Sequence, residues 1–291
     1  LVVVGTLRGQ GWLSSYEIAT STDANGDVVV RNPDGRLETY TKKADGTYAP
    51  PPGFFATYAP SSGGAGTLTD KSKTVYAFDT GGKLITITDS NGRVVTLTYN
   101  GLEVQKASSG ASGRTLTYAW GGDSTHRHVT SVATDAVSRN GQAAAPLTWI
   151  YTYAGDELTK VCDPEFGVGL TPKCTTYGYD TYSPPRLTQI TRPLTNTAVA
   201  LTYTSGSDNR VATATDGALD QWQFAYTAGD SQCLGAKYKT TITDPRTNHT
   251  TAEYNPDRQV LCRFNELGQM ASSGYEPCLL YTSDAADDLT R

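Results

Sequence analysis

The sequence predicts an all-β fold, in which repeated antiparallel β-hairpins form one curled strip. Three observations carry that prediction. An aromatic residue recurs at a fixed step after a turn: Asp89 to Tyr99, Ser108 to Tyr118, Asp216 to Tyr226 and Asp244 to Tyr254 are each ten residues apart. Between turns, apolar residues alternate with threonine, the period of a strand with one face toward water. Gly 29, Pro 14 and Tyr 18 against Met 1 and Phe 6 is a composition of strands and turns. A recurring unit too small to bury a face alone implies an array of like elements.

Residues 1–66 read as an irregular β entry segment. Asp23-Ala24-Asn25-Gly26, Asp34-Gly35 and Asp45-Gly46 are turn signals between short strands. Pro50-Pro51-Pro52-Gly53 interrupts them and excludes a central strand there. Ser61 to Gly66 reads as a flexible loop.

Residues 67–268 read as the array. Besides the four regular steps, Asp70 to Phe78 is a step of 8 and Arg192 to Tyr203 a step of 11, while Asp135 to Tyr153 and Asp163 to Tyr179 are stretched to 18 and 16. The repeat aromatics are therefore Phe78, Tyr99, Tyr118, Tyr153, Tyr179, Tyr203, Tyr226 and Tyr254. In one unit, Leu84–Thr88 is a strand, Ser90-Asn91-Gly92 a turn and Val94–Tyr99 the return strand. A three-residue loop pairs Ile87 with Val95 and Ile85 with Leu97, keeping one face apolar, with Gly92 in the left-handed region. A one-residue slip reverses every side chain. The position two before each aromatic is Tyr76, Leu97, Leu116, Tyr151, Tyr177, Leu201, Phe224 and Ala252, which supports one lined face. Thr98, Thr117, Thr152 and Thr202 mark the opposite face. The stretched copies carry their extra residues, Ser138 to Ala145 and Glu165 to Lys173, at hairpin tips, where insertions are tolerated.

Residues 269–291 read as a disordered tail. From Cys278 to about residue 288 the chain resembles the translation of a sequencing adapter, which makes that stretch non-biological. Leu1 is read as an internal position of a longer chain, so a targeting signal upstream of it would not be visible in this sequence. No apolar run is long enough to span a bilayer. A net charge of -5 with no basic cluster argues against a nucleic-acid partner.

Without Cys278 the cysteines number four: Cys162, Cys174, Cys233 and Cys262. An even count in a strand-rich chain suggests disulfides and an oxidising compartment. Cys162 and Cys174 bracket a hairpin insertion that a disulfide would close, leaving Cys233 with Cys262. The alternative is four reduced, partly buried thiols.

Tyr99-Asn100, Tyr179-Asp180 and Tyr254-Asn255, followed by Gly-x-Leu, Ile-Thr-Asp and Asn-Gly-Arg, resemble the YD or RHS repeat. Phe78 to Arg93 is close to a consensus copy, and Gly11-Trp12 with Ala44 to Gly53 resembles the stretch that precedes the repeats in bacterial RHS proteins. The resemblance covers roughly residues 10–268. It implies a strip wound into a hollow shell that encloses a toxic C-terminal domain, on a secreted or cell-surface protein used in competition between bacteria. The partners it implies are the remainder of the same RHS chain and the enclosed toxin. The Asp-Pro and glycine self-cleavage signature of the family's closing region is not matched by Asp163-Pro164 or Asp244-Pro245, and no toxin sequence follows. Thr191-Arg192 and Ser108 depart from the usual Thr-Asp.

No catalytic set emerges, so the chain is not expected to be an enzyme, and no cofactor or metal is expected. His126-Arg127-His128 places two imidazoles on one strand face without an identifiable third ligand. His249 reads as a turn residue. The repeat aspartates recur just before turns, where a carboxylate accepts backbone N–H bonds, rather than as a glycosidase pair. No serine lies in Gly-x-Ser-x-Gly and no glycine precedes a helix as in a phosphate loop. The tyrosines read as cross-strand packing residues. The alternative is a surface adhesin whose exposed tyrosine row stacks on glycans.

Overall fold

A computed structural model describes residues 12–275 except 125, 139, 140, 142, 165–172 and 230–232. The expectations for Leu1, for the body of the Glu165 to Lys173 insertion, and for the tail from 276, with Cys278, lie outside the described residues, whereas the Ser138 to Ala145 insertion lies at a hairpin tip as expected, Val137 being paired with Ala145. With 55% strand and 3% helix, the chain is all-β. It groups into two compact units, residues 1–175 and 176–291.

The first unit opens with β1 (Ala19–Thr22), β2 (Val28–Arg31), β3 (Leu37–Lys42) and β4 (Tyr48–Ala49), an antiparallel sheet in chain order. The proline run separates it from a second ladder. That ladder comprises β5 (Thr57–Pro60), β6 (Gly66–Thr69), β7 (Val75–Phe78), β8 (Leu84–Thr88), β9 (Val94–Asn100), β10 (Glu103–Ser109), β11 (Thr115–Gly121), β12 (His128–Val137), β13 (Ala145–Ala154) and β14 (Glu157–Cys162). Each strand pairs antiparallel with the next in sequence.

β15 (Cys174–Tyr179) crosses the unit boundary. The second unit continues with β16 (Leu187–Arg192), β17 (Asn196–Tyr203), β18 (Val211–Asp216), β19 (Gln221–Ala228), β20 (Tyr238–Thr243), β21 (His249–Tyr254), β22 (Val260–Phe264) and β23 (Met270–Ser272), again paired antiparallel in sequence order.

The β8–β9 turn follows the expected bulged three-residue loop. Ile87 pairs with Val95 and Thr88 with Val94, and Gly92 sits at φ 77° with its N–H on the Asp89 carbonyl at 2.9 Å. The predicted Ile85–Leu97 pair does not form. The ladder ends at Thr86 opposite Thr96. Ile85 is the extra residue of a β-bulge facing Phe78 and Ala77, so the strand changes phase there. Leu84 turns inward at 1% exposure, and Ile85 is left 36% exposed.

The face assignment otherwise stands. Leu97 is buried and Leu116, Tyr151 and Leu201 are half-buried, while Thr98, Thr117, Thr152 and Thr202 are exposed.

In the first unit the N-terminal sheet covers the apolar face of the ladder. Ile18, Val28, Val30 and Tyr40 share one core with Tyr58, Leu68, Phe78, Leu84 and Leu97. Thr20 N–H bonds the Gly82 carbonyl at 2.9 Å, and Ala19 bridges Lys83. The approach is so close that a Cβ on Gly82 would lie 1.8 Å from the Thr20 carbonyl oxygen. In the second unit the corresponding apolar side chains, Leu201, Trp222, Phe224 and Ile242, are half-buried. Its fully buried side chains, among the described residues, are Cys233, Cys262 and Glu253.

Candidate functional site

The chemistry that repeats along both units lies at one end of the hairpins. There the return strand of one hairpin meets the turn leading to the next. A β-bulge recurs at that place. Phe78 faces Leu84, Tyr99 faces Val104, Trp120 faces Val129 and Tyr153 faces Leu158, each with an extra residue on the following strand. In the second unit Tyr179 faces Leu187, Tyr203 faces Val211 and Tyr254 faces Val260 in the same way. Each time the aromatic ring is opposed by leucine or valine.

The bulge has a consequence on the other edge of the same strand. Shifted by one residue, the strand leaves its next ladder early. The β8–β9 ladder stops at Thr86 opposite Thr96, and β16–β17 pairing begins at Gln189 opposite Ala200. The corresponding last pairs are Lys106–Thr117, Ser131–Ile150 and Thr213–Gln223. Two residues before each pair lies a backbone carbonyl without a strand partner on that side, and a lone buried carbonyl is costly.

The repeat aromatic, three residues past the pair on the return strand, supplies the missing donor. Tyr99 Oη donates to Leu84 O at 2.6 Å, Trp120 Nε1 to Val104 O at 2.8 Å and Tyr153 Oη to Val129 O at 2.9 Å. In the second unit Tyr203 Oη donates to Leu187 O, and Tyr226 Oη to Val211 O at 2.9 Å. So Leu84, Val104, Val129, Leu187 and Val211 are each opposed by one aromatic through a bulge and bonded by the next through the carbonyl.

Where a ladder runs to its end, no such bond is required. β6–β7 pairing extends to Gly66–Phe78, and phenylalanine, with no donor, occupies the position. β19 and β20 pair without a bulge, and β20–β21 pairing then extends to Tyr238–Tyr254.

Tyr118 is a correction. It is buried in the core, and Trp120 holds the repeat position. The preceding turn starts one residue later and is one residue longer: Ser109 N bonds Arg114 O, five residues on, where Asp89 N bonds Arg93 O, four on, in the regular unit. The repeat therefore runs from Ser109 to Trp120, a step of 11.

A cation just before the acceptor completes the arrangement. Lys83 Nζ lies 5.1 Å from the Tyr99 ring centre, Arg186 Cζ 4.5 Å from Tyr203 and Arg210 Cζ 4.1 Å from Tyr226. Asp79 and Asp180 hold the first two at 3.4 and 2.7 Å, and Asp208 holds the third. Each ring contact is worth about 0.5–1 kcal/mol. Sequence reading missed these cations; their position directly before the Leu or Val of each first arm was the available signal.

Burial, reinforced by the Asp79 and Glu17 carboxylates, raises the Tyr99 phenol above its ordinary range. Burial likewise raises Tyr203 and Tyr226. These hydroxyls stay protonated and serve as donors.

The turn aspartates cap backbone. Asp89 Oδ1 accepts from Asn91 N and Arg93 N at 2.9 Å each. Asp79, Asp216 and Asp244 do the same for the second and fourth residues after them. The Arg93 backbone bond lowers the Asp89 pKa, the Arg186 backbone bond lowers that of Asp180 and the Asn248 side chain lowers that of Asp244.

Cys162 is bonded to Cys174 and Cys233 to Cys262. Cys233 lies in the loop between β19 and β20 rather than on a strand. Closing loops of this length contributes about 3 kcal/mol each in the chain-entropy account.

The two histidines do not share a strand face. His126 lies in the turn with Asp123 at 3.2 Å, whereas His128 opens β12, buried, stacked on Tyr153 and bonded to Asp156 at 3.0 Å. His249 is the first residue of β21 and contacts Thr243 Oγ1 at 2.9 Å. Among the described residues no three His, Cys, Asp or Glu side chains gather as a metal site, and no helix is long and apolar enough to cross a membrane.

No protein-family model matches this chain, and no curated protein does. Among solved structures it is similar to the TcdB2-TccC3 crystal structure, at 12% identity and a TM-score of 0.28 over 89% of this chain. It is also similar to a mutant Photorhabdus luminescens Tc holotoxin pore, at 12% identity and a TM-score of 0.27 over the same share. The chain spans 18% and 17% of those chains.

Proposed function

We propose that this chain is a structural wall segment of an RHS-type β-shell. In this reading it belongs to a secreted or cell-surface protein that encapsulates and delivers a C-terminal toxin in interbacterial competition, and it carries no catalytic role. Its partners are then the remainder of the same chain and the enclosed domain.

The carrying observation is the repeating bond from the aromatic of one hairpin arm to the carbonyl of the other, as in Tyr99 to Leu84 and Tyr226 to Val211. Such a unit repeats without new chemistry at each step, which suits a wall extended by addition of hairpins. The two disulfides are compatible with an extracellular location. The tyrosine rings use one face on a cation and the hydroxyl on backbone, which favours packing over stacking on sugars.

The test is limited proteolysis of the product of the whole reading frame. A protease-resistant C-terminal domain that becomes cleavable once the repeat region is opened by denaturant supports the reading. A C-terminal domain digested at the same rate before and after contradicts it.

A further inference from the structure

We propose that Asn100 is a site of spontaneous deamidation and isomerisation in the folded protein. Three Asn-Gly pairs lie wholly within the described residues: Asn25-Gly26, Asn91-Gly92 and Asn100-Gly101. All three asparagines are exposed. The reaction requires the amide nitrogen of the glycine, after losing its proton, to attack the asparagine Cγ. The new N–C bond closes a succinimide, the Cγ–Nδ2 bond breaks and ammonia leaves with the proton. Water then opens the ring at either carbonyl to give aspartate or isoaspartate. Glycine permits the approach because it has no Cβ.

The attacking nitrogens differ. Gly26 N–H donates to Asp23 O at 3.1 Å and Gly92 N–H to Asp89 O at 2.9 Å. Both lie in loops whose preceding N–H is also fixed, Asn25 N on Asp23 Oδ1 at 2.8 Å and Asn91 N on Asp89 Oδ1 at 2.9 Å. Gly101 belongs to a two-residue turn, with Asn100 opposite Glu103 and Gly101 at φ 60°. Its N–H donates no hydrogen bond among the described residues, and nothing lies within 4 Å of where its Cβ would be. In the folded chain this nitrogen is available while the other two are held.

The product acts on its surroundings. Lys83 Nζ donates to Gly101 O at 3.0 Å and also lies on Tyr99, so a rearranged turn disturbs that contact. Isoaspartate lengthens the backbone inside a two-residue turn, where loop length sets strand register.

The test is incubation of the full chain under mildly alkaline native conditions, followed by peptide mapping with mass spectrometry and isoaspartate detection. Conversion at Asn100 is expected to exceed that at Asn25 and Asn91 by at least about fivefold, the factor that one retained hydrogen bond provides. In denaturant the three rates should converge. The variant Asn100→Gln should remove the signal from its peptide. Equal or faster native conversion at Asn25 or Asn91, or a signal persisting in Asn100→Gln, overturns the proposal. Asn140, before Gly141, lies outside the described residues.

Discussion

Tyr99 and Leu84 are joined by a hydroxyl-to-carbonyl bond of 2.6 Å across the splayed end of their hairpin. The bond exists because the bulge at Ile85, in the ladder of β8 with β7, shifted Leu84 out of its ladder with β9. Tyr99→Phe keeps the ring and removes only the donor. Loss of about 1–2 kcal/mol is expected, part of it from the carbonyl left without a partner. Chemical denaturation measures it, and an unchanged midpoint at unchanged slope contradicts the assignment.

The bulge makes Leu84 and its neighbour Ile85 unequal. Leu84→Ala is expected to cost about 2–5 kcal/mol as a core truncation. Ile85→Ala should stay within about 0.5 kcal/mol, as for an exposed site. Comparable losses at both positions would return the strand to the phase of simple alternation.

The N-terminal sheet is held by a close backbone approach. At Gly82 an alanine would strain a φ of 80° and press its Cβ on the Thr20 carbonyl. Gly82→Ala should therefore lower stability by more than about 1 kcal/mol, the left-handed cost alone. It should also speed hydrogen exchange at Thr20 N–H. A variant with wild-type exchange there would show that the contact is dispensable.

The capped aspartates predict an acid limit. Asp89, Asp180 and Asp244 have folded pKa values lowered by hydrogen bonds to their carboxylates. Their contribution is complete above the unfolded carboxylate pKa of about 3.9 and is lost as pH falls through the lower folded values. Thermal unfolding between about pH 6 and pH 2 should show the melting temperature dropping mainly below about pH 4. The drop should shrink when Asp89 and Asp244 are both replaced by asparagine, and an equal drop in that variant counts against the caps as its source.

Much of this was legible in the sequence. Alternation and turn chemistry are local, so the hairpin order, the bulged loop at Ser90-Asn91-Gly92, the threonine face and the capping role of the aspartates followed from residue type alone. The bulges did not, because an extra residue in one strand is defined by its partner. That is why simple alternation places Ile85 inward, while the step of ten ends at Tyr118 rather than Trp120 because the turn from Ser109 to Arg114 is one residue longer. The covering of the first ladder by the N-terminal sheet is also a long-range event, signalled only faintly by Gly82.

The aromatics tie the two arms of a hairpin to each other and to the next hairpin. Amide hydrogen exchange on Tyr99→Phe tests it most directly. Faster exchange is expected in both flanking strands, Leu84–Thr88 and Glu103–Ser109, with no change in His249–Tyr254 and Val260–Phe264 of the second unit. Unaltered exchange in the two flanking strands would contradict it.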